Sequence, residues 1–546
     1  SPFDPQQVSL ERLTVTDGSI TVHRGANQRS VVLSDINSEL SARSLAGPWR
    51  VQGQLKADGL PMRVSGSTGT GSAEGIRIRV SAQPEGLPFA LDVDGQASVS
   101  EGKAQYAGNF DLRSFADVQT NAENPAPPVV ANRVTGKFNL SHQRLGIDEF
   151  RLVSGTAEDP YTADGHAELT FGIDPSFSIV ADGAQLRWEG SADQADKSLI
   201  TAGERIAAFA NFVSGLPKPS IPGTVSVNLP AIVAGDTTIR DIKFQAEPVA
   251  EGWSISSVAA TLPGRTRFEG KGLLAVGDEV SFAGKMLLAI SQPSGFAMWV
   301  ARDVDDAIRR LPAAGFSADV TLSATQQTFE NLELILGEAR FGGRLERQSP
   351  ADRLASILVS LDGGRLDVDG LRAFASLFID EQGQNRVADH DVDVEFAAGP
   401  VVSRGIEAER IETELRLREQ VLEIDRFSAT GLAGANVSAT GRIETLSANP
   451  AGSVDATIVA VDLAPFVSLL AQNLPDVRPI QLLARNASLY PGLLEEGKVD
   501  ILAGRSADGS SNLTVKGVAG GTDFTLNGSA QDLALGADTP IELQLT

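Results

Sequence analysis

Along Leu422–Ile443, "LEIDRFSATGLAGANVSATGRI", apolar side chains occupy alternate positions and slip phase once, at Asp425-Arg426. Leu422 and Ile424 keep a two-residue beat, and Phe427 and Ala429 resume it one residue late. The same apolar-x-apolar-x-x-apolar-x-apolar pattern recurs at Val8/Leu10/Leu13/Val15, Leu145/Ile147/Phe150/Leu152 and Trp253/Ile255/Val258/Ala260. Weaker copies lie at Ile239/Ile242/Phe244, Phe329/Leu332/Leu334 and Ile406/Ala408/Ile411. Alternation with period two is the signature of a strand with one apolar face. A single extra residue would send every later apolar group to the wrong side unless a β-bulge absorbed it and bent the strand. The pattern therefore predicts bulged strands, with a short turn between two separate strands as the alternative.

Val233–Leu274 aligns without a gap on Val402–Ile443: Trp253 falls on Leu422, Ile255 on Ile424, Val258 on Phe427, and Gly272 on Gly441. Each copy reads strand, Gly-containing turn, strand, which is a hairpin with one apolar face. Asp-Gly or Gly-Gly pairs at Asp17-Gly18, Asp58-Gly59, Asp94-Gly95, Asp182-Gly183 and Gly363-Gly364 are expected to be turns. Helical spacing predicts helices at Lys197–Pro217, Ser294–Pro312 (Ser294 as N-cap), Leu371–Phe378 and Ala464–Gln472. "FDLRSF" (Phe110–Phe115) shares the strand-to-helix look of "VDLAPFVSLL". Pro-rich stretches at Asn121–Asn132 and Leu216–Gly223 mark either domain boundaries or loops that let one sheet continue, and a continuing sheet is expected because the same strand pattern runs on both sides. The expected organisation is a first β-unit over 1–120, a second ending in a helix over 129–216, and repeated hairpins over 217–546. The fold class is mainly β: a long, twisted, curved antiparallel sheet of hairpins forming an elongated groove, with a few short helices.

Composition narrows the chemistry. Asp and Glu outnumber Lys and Arg 70 to 46, a formal charge of −24, and no Lys/Arg cluster is present to bind phosphates, so no nucleic-acid partner is expected. The absence of cysteine removes disulfides, thiol catalysis and Cys-bearing zinc sites. No run reaches the roughly 18–20 apolar residues of a membrane span. The histidines, His23, His142, His166 and His390, are far apart, and "DHDVD" (Asp389–Asp393) reads as a solvated face ahead of a cation site. "LDVDG" at Leu91–Gly95 and Leu366–Gly370 lacks the rest of a calcium loop, and "GRTRFEGKG" (Gly264–Gly272) has the wrong glycine spacing for a phosphate loop. No GxSxG elbow occurs. The expectation is a non-enzyme with no catalytic residues, metal site or cofactor.

A one-faced sheet has two main outlets here. Two sheets pack into a closed core, or the sheet curls and leaves a groove for an apolar ligand. A sixteen-carbon acyl chain needs roughly a dozen kcal/mol of replacement contact, at about 0.8 kcal/mol per CH₂, and a strip of Val, Leu, Ile, Ala and Phe supplies it.

"VSLERLTVTDGSITV" with "VVLSDINSELSARSLAGPWRVQGQLKADGLPMRVSGSTG" (Val8–Gly69), and "VSVNLPAIVAGDTTIRDIKFQAEPVAEGWSISSVAATLPGRTRFEGKGLL" (Val225–Leu274), resemble the repeats of the AsmA-like bacterial envelope proteins, TamB- and YhdP-type members included. "QTFENLELILGEARFGGRL" resembles them too. The resemblance implies a periplasmic protein held in the inner membrane of a Gram-negative bacterium by an anchor outside this chain. It implies a hydrophobic β-groove conducting phospholipids toward the outer membrane. The alternative is an envelope scaffold assisting outer-membrane protein assembly. The residues expected to line a lipid groove are Val8, Leu10, Leu13, Val15, Ile239, Ile242, Trp253, Ile255, Val258, Leu422, Ile424 and Phe427.

Overall fold

The computed structural model describes residues 7–24, 29–57, 59–72, 75–115, 130–156, 159–172, 174–188, 219–234, 237–277, 279–301, 306–350, 354–368, 371, 390–403, 406–444, 451–474, 477–506, 508–530 and 541–545. The protein is mainly β, its sheet mostly antiparallel and not closed into a barrel. Packing divides it into two compact units, one of residues 1–197 and 216–261, the other of residues 198–215 and 262–546.

The first unit holds β1 (Leu10–Arg24), β2 (Arg29–Ala42), β3 (Trp49–Ala57), β4 (Leu60–Thr68), β5 (Ile76–Pro84), β6 (Phe89–Ser100) and β7 (Lys103–Phe115). It continues with β8 (Val130–Ser141), β9 (Arg144–Thr156), β10 (Asp159–Thr170), β11 (Ser176–Trp188), β12 (Gly223–Ala234), β13 (Thr237–Val249) and β14 (Gly252–Leu262). From β1 through to β11, successive strands pair antiparallel. The pairing of β7 with β8 carries the sheet across the first Pro-rich joint. At the second joint the sheet also continues, but β11 and β12 run parallel, which a hairpin cannot do.

The second unit runs through β15 (Thr266–Ala275), β16 (Ser281–Ile290), β17 (Ala314–Leu322), β18 (Gln326–Leu336), β19 (Ala339–Gln348) and β20 (Ala355–Gly363), neighbours antiparallel. A small sheet follows: β21 (Leu366–Asp367) and β24 (Ile406–Ala408) flank β23 (Val401–Ser403). β22 (His390–Ala398) rejoins β20 in parallel, and β25 (Arg410–Arg418), β26 (Val421–Leu432), β27 (Ala435–Ile443) and β28 (Gly452–Asp462) resume the antiparallel order. β29 (Glu495–Arg505), β30 (Ser511–Ala519), β31 (Thr522–Ala530) and β32 (Ile541–Leu545) complete it.

The phase slips are bulges. Register shifts fall at Leu10/Leu13, at Ile424/Phe427, at Phe329/Leu332, at Arg240/Lys243, and opposite Ile147–Phe150 and Ile255–Val258. Two of them place Asp241 and Asn331 in the left-handed region (φ 52° and 49°), a conformation that Asp and Asn tolerate better than other side chains. The copy at Ile406/Ala408/Ile411 differs: β24 ends at Ala408 and β25 begins at Arg410, so two separate strands share the pattern. The second repeat copy forms the expected hairpin of β26 and β27, and its counterpart, β14 and β15, is joined by a three-residue turn.

Some local expectations are overturned. Asp94-Gly95 and Asp182-Gly183 lie inside β6 and β11, not in turns. Their glycines serve close approach: a Cβ at Gly95 would come 2.5 Å from the Ala107 carbonyl oxygen and 2.9 Å from the Tyr106 ring, and one at Gly183 would come 2.2 Å from Leu229 Cδ2. Asp17-Gly18 is a bulge within β1, and Gly363 ends β20. "FDLRSF" is strand, the end of β7. The helix expected from Ser294 starts at Pro293, so Ser294 sits inside α1 (Pro293–Ala301); α2 (Asp306–Arg310) follows. α3 (Ala464–Asn473) matches its expectation, with Asp462 Oδ1 accepting from the Ala464 backbone N–H at 2.8 Å. α4 (Arg478–Leu489) has no counterpart among the expected helices. The segment Lys197–Pro217 and all but Leu371 of Leu371–Phe378 lie outside the described residues.

Candidate functional site

Register turns alternation into long rows. In the first unit Leu13, Leu40, Val51, Gly66, Val80, Val93, Phe110, Gly136, Phe150 and Gly165 are cross-strand partners in succession from β1 to β10. A second apolar row runs beside it through Val64, Ala82, Leu91, Leu112, Val134 and Leu152. Large side chains lie over glycines of the adjacent strand: a Cβ at Gly136 would come 2.8 Å from the Phe110 ring and one at Gly165 2.6 Å from the Phe150 ring. Tyr106 and Phe138 meet edge to face on this same side at 5.0 Å. Most of these side chains are half-buried, neither sealed nor fully wet.

The opposite face is charged. Arg77 and Arg79 both hold Asp94, Arg77 in two-pronged fashion at 2.8 and 2.6 Å and Arg79 at 2.9 Å. Arg133 grips Asp111 at 3.0 and 2.6 Å, Arg113 pairs with Asp92, and Arg12 with Glu39. The Arg77 hydrogen bond, helped by Arg79, holds the Asp94 carboxyl down at about 2 against the opposing effect of desolvation. This guanidinium fork keeps Asp94 ionised at neutral pH, so Asp94 is unsuited to donate a proton.

A cavity of about 1060 Å³ runs across the strands of this unit. It is bordered by two charged rows, Gln52, Ser65, Ser81, Asp92, Asp111, Thr135 and Arg151 on one side and Arg50, Ser67, Arg79, Asp94, Asn109, Lys137 and Glu149 on the other. The apolar row between them contributes to the lining, but Leu91, Leu112, Val134 and Leu152 of the next apolar row do not. The space therefore opens on the charged side of the sheet, where a hydrocarbon chain gains little. The apolar face lies on the other side.

The expected lining residues distribute unevenly. Val8 and Leu13 are exposed; Leu10, Val15, Ile239, Ile242 and Val258 are half-buried. Trp253 and Ile255 are buried, 6% and 8% exposed. In the second unit Leu422, Ile424 and Phe427 are half-buried.

There, parts of the apolar face are covered. Phe296 of α1 packs with Ile290, Ala314 and Leu336. Leu366 and Val401 of the small sheet cover Ala339, Phe341 and Ala398. Phe466 and Val467 of α3 and Ala487 of α4 cover Ala435, Ile458 and Ala460. This last cap sits at the Leu432/Ala435 end of the β26–β27 hairpin, whereas Leu422 and Ile424 lie at the Ile443 end.

Of the suggestive acidic cluster, Asp389 lies outside the described residues, His390 is buried, and Asp393 is taken by Arg418 at 2.6 Å. Among the described residues no group of three or more His, Asp or Glu is placed to hold a metal ion. Set against known protein families, curated proteins and solved structures, the chain matches none of them.

Proposed function

We propose that the chain is a non-enzymatic lipid-binding protein of AsmA-like type, which carries phospholipids by their acyl chains in the periplasm between the inner and outer membranes. The reading is supported by one observation above all. One apolar row runs in register from β1 to β10 and a second beside it from β4 to β9, both mostly half-exposed, and an apolar surface of that continuity is rarely left bare. Acyl chains suit it because they need length and contact and no directional partner. Headgroups stay at the wet margin.

Mass spectrometry of an organic extract of the purified protein tests this reading. The expected result is phospholipid near stoichiometric amounts, reduced severalfold when Val80→Asp and Leu91→Asp are combined in a protein that keeps its β circular dichroism. Protein free of lipid, or lipid content indifferent to these changes, would reject it. Recovery of outer-membrane proteins bound in place of lipid would favour the envelope-scaffold reading.

A further inference from the structure

The outward side of α4 carries an apolar stripe with no partner among the described residues. The helix is anchored from within: Ala487 is buried in the cluster under α3 and α4, with Ala484 packed beside it. Gln481 Nε2 donates to the carbonyls of Ala471 (2.5 Å) and Leu474 (3.3 Å), tying α4 to the end of α3. What this fixed orientation presents outward is Leu482, 60% exposed, Leu489, 61%, and Tyr490 just past the helix, 64%. Leu483 and Leu493 are exposed beside them.

Arg478, Leu482, Arg485 and Leu489 follow one another at spacings of four, three and four, so they form one line along the helix. Within α4 these two arginines are the only charged residues, and the nearest acids in sequence, Asp476, Glu495 and Glu496, lie beyond its ends, in a chain whose formal charge is −24.

We propose that this side of α4 docks on the surface of a lipid bilayer rich in anionic headgroups, the helix lying flat in the interface. Charge selects that occupant. The two arginines give the helix itself a positive face on an acidic protein, which favours a negative surface. Leucines and arginines sharing one line also suit an interface, where leucine enters the acyl boundary while arginine bends its guanidinium up to phosphates. Tyrosine at the helix end is at home at the same depth. No helix among the described residues is long and apolar enough to cross a membrane, so the contact is peripheral. This inference stands on α4 alone and does not need the acyl-chain surface of the first unit; lipid extraction tests that surface, vesicle binding tests the helix.

The test is co-sedimentation of the full chain with large unilamellar vesicles, phosphatidylglycerol mixed with phosphatidylethanolamine against pure phosphatidylcholine. The expected result is preferential binding to the anionic vesicles that weakens as salt rises. Leu482→Ser with Leu489→Ser is expected to weaken it by about tenfold or more. Arg478→Gln with Arg485→Gln is expected to lower binding to anionic vesicles by about tenfold and to leave binding to phosphatidylcholine unchanged. Both pairs are on the surface, and unchanged thermal melting of the variants confirms an intact fold. No binding by the parent protein, or binding that neither pair alters, would overturn the proposal. So would light scattering that shows a dimer dissolved by the leucine pair, because α4 would then be an interface between copies.

Discussion

In the first unit the buried apolar residues among those described are few, and half of them are alanines: Ala42, Ala90, Ala163 and Ala246, with Phe138, Leu229, Trp253 and Ile255. In the second, Phe296, Ile290, Phe341, Leu366, Phe466 and Val467 assemble into contiguous clusters. The strands of both units carry the same alternation and the same bulges, so strand sequence does not make the difference. Connections do. Where the chain leaves the sheet at Pro293–Arg310, Leu366–Asp367 and Ala464–Leu489, it returns over the apolar face and seals part of it. From β1 to β7 the connections are short, and a tight turn has no side chains to spare for covering a face. A one-faced sheet is thus an open surface by default, and its core is an addition made by inserted segments.

The sharpest way to break this comparison is to place the same charge on both faces. Ile290, 2% exposed beneath α1, has no water for a carboxylate; Ile290→Asp is expected to cost about 4 kcal/mol. Val80→Asp, on the half-exposed row of the first unit, is expected to cost about 1 kcal/mol. Urea midpoints of the two variants check this. Equal losses would mean that both faces are sealed cores.

Acid titration probes the charged side of the first unit and is a smaller effect. The Asp94 pKa is lowered on folding, to about 2 from an ordinary value of 3.8. Stability from its arginine pair is therefore full above about pH 4 and is lost as pH falls toward 2. Because the carboxylate is over a third exposed and solvent screens it, its worth is less than about 1 kcal/mol. Asp94→Asn is expected to flatten stability across that window, read from urea midpoints between pH 2 and 5. An unchanged slope would show that Asp94 is ordinary in the folded state.

Much of this architecture is legible in the residues. The slip at Asp425-Arg426 reads as a bulge because the apolar beat resumes in phase, and Ile424 and Phe427 do stay within one strand. The hairpin repeat is visible for the same reason. Asp-Gly pairs mislead, because Gly95 and Gly183 answer to a neighbouring strand's Tyr106 and Leu229, which no local rule contains. The parallel steps from β11 to β12 and β20 to β22 depend on long connections and leave no mark on strand periodicity. α4 hides because Leu482 and Leu489 point outward and blur the helical stripe that Ala484 and Ala487 make inward. The cavity among charged rows needs the register of ten strands, and only folding brings Arg50, Arg79 and Asp92 to its borders.

Which side of the first unit meets hydrocarbon decides the central claim. Photo-crosslinking residues placed singly at Val80, Val93, Arg79 and Asp94 separate the two faces, because neighbours along a strand point to opposite sides. In protein carrying bound phospholipid, the expected outcome is lipid adducts at Val80 and Val93 and none at Arg79 and Asp94. Adducts confined to Arg79 and Asp94, or absent from all four, would contradict it.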